Sequence, residues 1–521
     1  MSEQMADLVS KLPSYLGGHM LLTLCAMAVG LAVSLPLGIA VSRRPRLREW
    51  TLGLAGVIQT VPSLALLALM VPMLGGLIGF APAFVALTLY SILPILAGTV
   101  VGLKTVDPAL IEAARGLGMN GRQMLLRVEL PLAAPMIISG IRTATVLVVG
   151  TATLVTPVGG MSLGNYIFGG LESLNHLATV FGCVIAAVLA VVLDQLVHLL
   201  EIASRRRDRR LARAAAAGLV VVVAGSLAGP ASQWIAPGAE RAVIASGPFT
   251  EQHVLNEMLA KHLSRASFRA DQRPGMSEGI QFEALFHGQV DCIVNYSGNI
   301  WTLVMKRKDL ASRRTAVDQI AAFLRDRYGV VCLGSLGFED AYAFAMPKRR
   351  ADELGIHSIE DLASHLAYPA RRGKRRLVLG GDNQFFGRPE WRQVKSIYGL
   401  NEDAIRTVAM DPTLMYGAVL DGQVDVIAAY TSDGRIPAYQ LEILRDTQGA
   451  FPPYDALLLL SARAARRPEL LEALKPLVGS IGLEAMQEAN YRVDVEKWPA
   501  RRAAEQLLRS IENPKPSPPG A

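Results

Sequence analysis

The feature that most constrains this chain is a series of long apolar runs, all within its first 230 residues. A helix needs about 20 apolar residues to cross the hydrocarbon layer of a membrane. Six runs approach or exceed that length, and they lie near residues 18–41, 52–74, 84–103, 132–155, 177–200 and 214–228. The first part of the chain is therefore predicted to be an α-helical transmembrane bundle.

Basic residues between these runs predict one orientation. Arginines cluster at 43–48 and 205–213, and further basic residues lie in the loop 104–127. Lysine and arginine are enriched in cytoplasmic loops of membrane proteins. Six crossings place all three regions in the cytoplasm and everything after about residue 230 outside. The net charge of +7 is thereby explained, and nucleic-acid binding is not expected.

One polar loop between the apolar runs has a helical pattern. Asp107 is a suitable N-cap, and Pro108 suits the first helical position. Gly118 marks a turn, after which a second short helix is predicted over residues 122–129, before Pro131. The loop is either an ordinary amphipathic connection or a helix that docks into a groove on a partner.

The remainder of the chain alternates strand-like and helix-like segments and is predicted to be an α/β domain. The sequence Gly-Gln-Val-Asp occurs at 288–291 and again at 422–425, which suggests two lobes built on one plan. Two apolar strands, 341–346 and 454–460, are predicted to connect the lobes. The predicted divisions are a transmembrane domain (1–210, with the polar loop at 107–131), a sixth span and linker (211–239), an α/β domain (240–512) with lobe 1 at 240–341 plus 461–512 and lobe 2 at 342–460, and a disordered tail (513–521).

The cysteines and short motifs limit which disulfide, metal-binding and catalytic functions the sequence can support. Cys292 and Cys332 could form a disulfide in an oxidising compartment or remain free thiols. No metal-ligand spacing or nucleophile–base motif occurs in the sequence, so neither a metal nor a cofactor is expected. The phosphate-binding pattern GxxxxGK[ST] is also missing from the sequence, so any ATP hydrolysis is predicted to belong to a separate polypeptide.

Two sets of residues resemble a known family. In the polar loop, Glu112-Ala113-Ala114, Gly118 and the later Leu130-Pro131 have the spacing of the EAA loop of ABC importer permeases. Stretches of the second part are similar to the substrate-binding proteins of importers for glycine betaine, carnitine and choline: Phe249–Gln252, Asp291–Gly298 with Trp301, Tyr430–Ile436, Phe451–Asp455, Ala489-Asn490 and Val493-Asp494. The whole chain thus resembles a type I ABC permease fused to a two-lobed, type II periplasmic binding protein.

The resemblance implies an ATP-driven importer of a small quaternary-ammonium or betaine-like solute, located in the inner membrane with its binding domain outside. It implies a separate cytoplasmic ABC ATPase, which would contact Glu112, Ala113, Ala114 and Gly118. A second copy of the chain and membrane lipid are the other implied partners. The alternatives are an importer of a different cationic or amino-acid-like solute, a membrane-anchored ligand sensor, and an extracytoplasmic enzyme. An ATPase-docking loop argues against the sensor.

The resemblance also implies site residues. In such binders aromatic faces hold the quaternary ammonium. Tyr430 and Tyr296 are the first candidates for these walls, followed by Tyr416, Phe385, Phe386 and Trp301, each of which could instead be a core aromatic. The polar candidates are Thr250 and Gln252 at a helix start, Asp291 as counter-charge or as a carboxylate bonded to backbone, Asn295 and Thr431.

One departure from the family pattern bears on the ligand. The family pattern is Asp-x-Tyr-Pro-Glu-Tyr-Thr-Gly, and residues 291–298 read Asp-Cys-Ile-Val-Asn-Tyr-Ser-Gly. Ile293 replaces a tyrosine that commonly forms a wall of the aromatic cage. A cage without that wall is predicted to hold a different ligand, such as a larger or partly aromatic betaine, and the identity of the solute stays open.

Overall fold

The structure, a computed structural model, describes residues 3–172, 175–235, 240–307, 309, 312–367, 376–401 and 405–512. The chain forms two compact units, one of residues 1–238 with 273–284 and one of residues 239–272 with 285–521. The tail predicted to be disordered, 513–521, lies outside the described residues, as does the end of the predicted linker, 236–239.

The first unit is helical. Its helices are α1 (Glu3–Ser42), α2 (Pro45–Thr60), α3 (Ser63–Met73), α4 (Phe80–Lys104), α5 (Pro108–Gly116), α6 (Gly121–Met124), α7 (Leu130–Ala152), α8 (Gly164–Glu172), α9 (His176–Arg206) and α10 (Arg209–Ile235). A π-helical segment, Leu125–Glu129, joins α6 to α7, and a 3₁₀ segment, Thr153–Val158, follows α7.

The predicted spans are found as helices. Five helices or helix runs among the described residues are long and apolar enough to cross a membrane, and α2 with α3 adds a sixth if this pair is one span. The two helices of the pair are bent by 98°. The break lies at Val61 and Pro62, where proline supplies no backbone donor to continue the helix. The continuous run of apolar residues gave no indication of this bend.

Small residues allow two of the spans to approach closely. A Cβ atom at Gly98 of α4 would lie 2.8 Å from the carbonyl oxygen of Met136 in α7. A Cβ atom at Gly140 of α7 would lie 2.5 Å from the carbonyl oxygen of Pro94. Membrane helices depend on such small residues for close packing, because lipid offers no hydrophobic drive for association.

The polar loop forms the predicted first helix and turn. Asp107 accepts a hydrogen bond from the Ala109 amide at 2.9 Å, and Gly118 has a φ of +79°, which favours glycine. The second short helix does not end before Pro131, as the sequence predicted. It continues through the π-helical segment into α7. Pro131, which has no backbone N–H, lies directly after that segment, where the regular i to i−4 bonding is already interrupted.

The second unit contains two five-stranded sheets. The strands are β1 (Glu240–Ala245), β2 (Phe268–Arg273), β3 (Cys292–Tyr296), β4 (Val331–Glu339), β5 (Tyr342–Pro347), β6 (Leu377–Gly381), β7 (Ile405–Ala409), β8 (Val426–Tyr430), β9 (Leu441–Ile443) and β10 (Asp455–Leu460). The first sheet has the order β2-β1-β3-β10-β4, and the second has the order β7-β6-β8-β5-β9. Each sheet and its helices form one lobe.

The helices that follow α10 are α11 (Thr250–Arg265), α12 (Glu278–Phe286), α13 (Ser297–Asn299), α14 (Arg313–Tyr328), α15 (Lys348–Leu354), α16 (Ile359–Ala367), α17 (Asn383–Gly387), α18 (Pro389–Tyr398), α19 (Pro412–Leu420), α20 (Arg435–Ala438), α21 (Pro468–Leu474), α22 (Leu483–Asp494) and α23 (Ala500–Glu512). Most of α12 belongs to the first unit, which includes residues 273–284. Fully buried residues of β10, such as Leu458 and Leu460, lie in the core of the first lobe.

Two connections between the lobes lie side by side. The chain passes from β4 to β5 at Asp340–Ala341 and returns before β10 at Tyr454. The Asp340 amide donates to the Tyr454 carbonyl at 3.0 Å, so the two connections are bonded to each other. The predicted connecting strand 454–460 is β10, and it belongs to the first sheet.

The repeated Gly-Gln-Val-Asp sequence has the same structural role in both lobes. Asp291 accepts a 2.8 Å hydrogen bond from the Val243 amide and donates its own amide to the Val243 carbonyl. Asp425 makes the same pair of bonds with Val378. Each aspartate therefore ties the start of one parallel strand to its neighbour.

The two cysteines of the second part are free and lie on opposite sides of β10. Leu460 pairs with Cys292 of β3, and Leu459 pairs with Cys332 of β4. Two strand spacings of about 4.8 Å separate such positions, which exceeds the reach of a disulfide. The possibility of a Cys292–Cys332 disulfide is therefore excluded in this structure.

Candidate functional site

The candidate binding residues gather at one edge of each sheet. In the first lobe α11 follows the end of β1, and Tyr296 ends β3. In the second lobe Asp382 follows β6, and Tyr430 ends β8. These four positions lie at the carboxyl ends of parallel strands, where open α/β sheets bind ligands.

Tyr430 lies in a group of aromatic rings. Its ring centroid is 4.8 Å from that of Tyr342, and its hydroxyl lies within hydrogen-bonding distance of the Tyr342 hydroxyl, at 3.1 Å, and of the Asp382 carboxylate, at 3.3 Å. These contacts hold the ring while part of Tyr430 stays exposed. Burial raises the pKa of the Tyr430 hydroxyl well above its usual value, so the ring is neutral at physiological pH.

The other aromatic candidates are less open. Tyr416 is 1% exposed, and the guanidinium of Arg435 lies 3.9 Å from its ring centroid, so a cation of the protein already covers this ring. Phe385 has no exposed surface. Trp301 is buried, with Arg307 4.1 Å from its ring. Among the aromatic candidates of the second lobe, only Tyr430 and Phe386 are partly exposed.

In the first lobe, Tyr296 is part of a buried polar network. Its hydroxyl donates to Glu251, which also accepts from the Asn490 amide at 3.0 Å. Thr250 donates its hydroxyl to Asp494 at 2.7 Å. Thr250 therefore binds a carboxylate on α22, and it makes no side-chain capping bond at the start of α11.

Two amide side chains near this network keep unused hydrogen-bonding atoms. Gln252 and Asn295 are 6% and 0% exposed. Within the described part of the chain, Gln252 Oε1 and Asn295 Nδ2 have no hydrogen-bond partner. A cavity of about 10 Å³ beside Gln252 has room for one water molecule. These atoms are available to a water or to a polar ligand group.

Asp291 lies away from this edge. It precedes β3, whereas Tyr296 ends that strand, so the two residues are at opposite ends. The carboxylate of Asp291 binds the Val243 amide and Arg463 at 2.9 Å. Of the two roles considered for Asp291, the structure shows the carboxylate bonded to backbone. Ile293 is fully buried between β1 and β10.

The structure adds one residue that sequence reasoning missed. Arg388, between α17 and α18, donates to Asn299 of the first lobe at 3.0 Å and to the Tyr454 hydroxyl at 2.8 Å. Its guanidinium also lies 5.7 Å from the ring centroid of Tyr342. The Arg388 guanidinium thus connects the two lobes beside the rings of Tyr342 and Tyr430. An isolated arginine belongs to no spaced motif, so the sequence alone gave no signal for it.

Buried acids surround the connections between the lobes. Burial raises the pKa of Glu251, while hydrogen bonds from Ser432, Tyr296 and Asn490 oppose that rise. Burial, together with the nearby charge of Glu251, raises the pKa of Asp340 well above its usual value. The Thr431 hydroxyl accepts a hydrogen bond from the Ala341 amide at 2.9 Å, which holds the connection between β4 and β5 in place. The raised pKa values favour the uncharged forms of Glu251 and Asp340.

Gly298 permits a close approach between the lobes' connecting residues. A Cβ atom at Gly298 would lie 2.4 Å from the ring of Tyr454. The hydroxyl of Tyr454 donates to Glu390 at 2.6 Å while accepting from Arg388. Gly298 therefore leaves room for the ring of Tyr454, whose hydroxyl in turn binds Arg388.

Among the described residues, one cluster of side chains, outside the candidate binding site, has the composition of a metal site. Asp352, His357 and Glu442 have ligand atoms within 4.8 Å of one another. His357 Nδ1 is already hydrogen-bonded to Glu442 at 2.7 Å, and Lys348 Nζ lies 3.5 Å from the same carboxylate. A lysine beside the carboxylate competes with a metal cation, so hydrogen bonding accounts for this cluster.

The polar loop of the first unit presents a second candidate surface. Glu112, Ala113 and Gly118 are exposed, whereas Ala114 is buried and packs inward. Three large apolar side chains on the same loop are also exposed: Leu110, Leu117 and Leu126. Glu129 is buried and receives two hydrogen bonds from Arg43, at 2.7 and 2.9 Å, which attach the loop to the end of α1.

Comparisons with known proteins agree with these two regions. A family described as the substrate-binding domain of ABC-type glycine betaine transport systems matches residues 240–510. A family of binding-protein-dependent transport system inner membrane components matches residues 30–207. The ergothioneine transport permease/ergothioneine binding protein EgtU of Helicobacter pylori is 28% identical over 494 residues, which cover 91% of this chain and 86% of that protein.

Separate relatives match each part. The glycine betaine/carnitine/choline transport system permease protein OpuCB of Bacillus subtilis is 41% identical over 36% of this chain and 84% of its own length. The glycine-betaine-binding protein of Pseudomonas aeruginosa is 30% identical over 52% of this chain and 88% of its own length.

The expectations for fold, function class and location are confirmed. The first part is a multi-pass permease of the inner membrane, and the second part is an extracytoplasmic binding domain. Both belong to an ABC importer of the osmoprotectant or betaine type. The chain is a member of the family of ABC-type glycine betaine transport substrate-binding domains, fused to its own permease.

Proposed function

We propose that this importer carries a zwitterionic betaine, with the ligand cation against Tyr430 and the ligand carboxylate at Arg388. The observation that carries the proposal is the position of Arg388, which reaches Asn299 in one lobe and lies over Tyr342 in the other. Tyr342 is also the ring that packs against Tyr430. An aromatic face and a guanidinium side by side match the two charges of a betaine.

The relatives and Ile293 support a proposal for the solute. The relative that shares the fused arrangement is named for ergothioneine, and another is named for glycine betaine. Ergothioneine carries the trimethylammonium and carboxylate of a betaine on a larger, aromatic body. Because Ile293 stands where the family pattern has a tyrosine, we propose a betaine larger than glycine betaine, with ergothioneine as the first ligand to test.

ATP hydrolysis is assigned to a separate ABC ATPase that docks on the polar loop. The support is the exposed side of α5, where Glu112 and Ala113 lie near Leu110 and Leu117. Exposed leucines beside charged residues suit a helix that enters a groove on a partner. We propose two copies of the chain in the lipid bilayer, since closed dimers are the commonest assemblies of identical subunits.

The test compares ligands with and without a carboxylate. The full chain, purified in lipid nanodiscs, is titrated calorimetrically with ergothioneine, glycine betaine, carnitine and choline. Arg388→Gln should weaken binding of the carboxylate-bearing ligands by about 10- to 100-fold, because a charge-assisted hydrogen bond contributes about 1.5–3 kcal/mol. Choline has no carboxylate, so its affinity should change little.

Arg492→Gln is the matched control, since this arginine pairs with Glu488 and Glu496 on α22 instead of joining the lobes. It should leave every affinity unchanged. Equal losses for choline and for the betaines in Arg388→Gln would contradict the assigned role of Arg388. Absence of binding by all four ligands to the unaltered chain would contradict a betaine-type solute.

A further inference from the structure

A cluster of charged side chains connects two membrane helices of the permease. Arg142 of α7 donates to both carboxylate oxygens of Asp194 on α9, at 2.6 and 2.8 Å. Its remaining terminal nitrogen is 3.0 Å from His198 Nδ1 and 3.9 Å from Glu201. Glu201 also accepts from Arg205 at 2.6 Å. The cluster contains two arginines and two carboxylates, so its charges balance.

The centre of the cluster lies within two of the predicted membrane spans, 132–155 and 177–200. Asp194 precedes the end of α9 by twelve residues, and Arg142 follows the start of α7 by twelve. Both helices extend beyond their predicted spans on the cytoplasmic side. Counted from the cytoplasmic ends of the spans, at about 1.5 Å per residue, Arg142 lies about 15 Å and Asp194 about 9 Å into a hydrocarbon layer of about 30 Å. Ionised groups at this depth are costly and face a protein interior or water.

A single copy of the chain does not enclose the cluster. The side chains of Arg142 and His198 are 32% and 36% exposed, whereas that of Glu201 is 7% exposed. Gln195 is exposed and donates to Asp194 at 3.2 Å, which adds another polar group on the same side. Hydrocarbon cannot satisfy these groups, so something else must cover them.

The adjacent face of α7 is suited to close helix packing. Thr143 is exposed, and a Cβ atom at Gly150 would meet nothing within 4 Å, so the described part of the chain leaves this face open. The two residues are seven apart, which places them on one side of the helix. Small residues on a membrane helix mark positions where another helix approaches closely.

We propose that the face of α7 carrying Thr143 and Gly150 packs against the same face of a second copy, and that the Arg142–Asp194–His198 cluster lines the passage between the copies. A second copy fits because the charges within each cluster balance, so two clusters brought together by twofold symmetry do not repel. A charged passage wall also suits a zwitterionic solute. The inference rests on the proposed homodimer and adds which surfaces meet.

Single cysteines test this arrangement in the assembled importer in membranes. Thr143→Cys probes the packing face and Gln195→Cys probes the edge of the cluster. Val221→Cys on α10, which is 70% exposed, is the control for a side chain facing lipid. Peptide mass spectrometry maps each modification and cross-link, so the native cysteines stay in place. Native mass spectrometry of the purified complex counts its copies.

Oxidation should produce a dimer linked through position 143 and none linked through position 221. A charged thiol reagent should modify Gln195→Cys at least about tenfold faster than Val221→Cys, because thiolates form in water and not in lipid. Two copies in the complex, with position 143 not linked and position 195 as slow as position 221, would overturn the inference alone. One copy in the complex would overturn the proposed homodimer and the inference with it.

Discussion

Tyr430 combines a fixed ring with a partly open surface. Tyr342 packs on it at 4.8 Å, and Asp382 binds its hydroxyl, so the ring keeps one orientation without a ligand. Preorganisation of this kind lowers the entropy that binding must overcome. At this scale, the proposed binding of the ligand cation depends on one ring face.

Replacing the Tyr430 ring should show whether this side chain contributes to ligand affinity or only to the stability of the fold. Tyr430→Ala should reduce affinity for a trimethylammonium ligand by several-fold or more, since cation–π attraction contributes about 0.5–2 kcal/mol. Tyr430→Phe keeps the ring face and should retain most of the affinity. Isothermal calorimetry of the folded fraction measures both.

Tyr416→Ala is the matched control, because Arg435 already covers that ring. It should lower the melting temperature and leave the affinity of the folded fraction unchanged. Unchanged affinity in folded Tyr430→Ala would remove Tyr430 from the cage.

A second residue-scale prediction concerns Asp494, which binds the Thr250 hydroxyl. Burial raises the pKa of Asp494 to about 6, and the charge of Arg435 opposes that rise. The unfolded value is about 3.9, so the stability that protonated Asp494 contributes is complete below about pH 4 and lost as the pH rises through about 6.

Asp494→Asn removes this titration and keeps an acceptor for Thr250. Relative to the unaltered chain, the variant should gain up to about 3 kcal/mol between pH 4 and pH 7, at 1.36 kcal/mol per pKa unit. Melting temperatures measured at both pH values test this. An equal difference at pH 4 and pH 7 would show that Asp494 does not titrate in this range.

Sequence reasoning at this scale located some neighbours and missed others. It selected Tyr296 in the first lobe and Tyr430 and Thr431 in the second because spaced motifs carried them, and the structure has each tyrosine at the carboxyl end of a strand. It could not separate the two roles of Asp291, since a carboxylate at a strand start and one in a cleft look alike in sequence. It missed Arg388, whose partners Asn299 and Tyr454 are remote along the chain.

At the scale of elements, the loop between α4 and α7 depends on one turn. Gly118 has a φ of +79°, and a Cβ atom there would meet nothing within 4 Å. Substitution is therefore opposed by backbone conformation and not by crowding, at a cost of order 1–3 kcal/mol. The strain is confined to the turn between α5 and α6.

Gly118→Leu should abolish uptake and leave ligand affinity unchanged, because the distorted turn no longer fits the ATPase. Gly116→Ala is the matched control, as this glycine is helical and also meets nothing within 4 Å. Radiolabelled uptake and calorimetry on the same preparations give the two readings. Normal uptake by Gly118→Leu would contradict docking through this loop.

Hydrophobic length predicted the membrane helices well, and local chemistry predicted the turn at Gly118. The 98° bend between α2 and α3 escaped prediction because a proline within an apolar run does not by itself give the bend angle. The continuation of α6 into α7 was missed for a related reason. A proline ends a helix or begins one according to its position, which Pro131 alone does not reveal.

At the scale of the whole molecule, the orientation of the chain is testable with two exposed positions. Arg122→Cys, in the polar loop, should react with a thiol reagent only when the reagent reaches the cytoplasm. Ser264→Cys, on α11, should react from outside. The distribution of basic loops is the physical reason. Labelling of both positions from the same side would contradict six crossings.

The paired connections between the lobes have a mechanical consequence. Because the Asp340 amide is bonded to the Tyr454 carbonyl, the two connecting segments form one hinge between the lobes. Rotation about this hinge breaks no hydrogen bond within either sheet. Atoms near a rotation axis move only a short distance. Tyr430 is next to this hinge, because the amide of the following residue, Thr431, donates to the Ala341 carbonyl. Rotation of the lobes about this axis would therefore move the Tyr430 ring little. In the proposed function, the ligand cation then meets Tyr430 before the two lobes close.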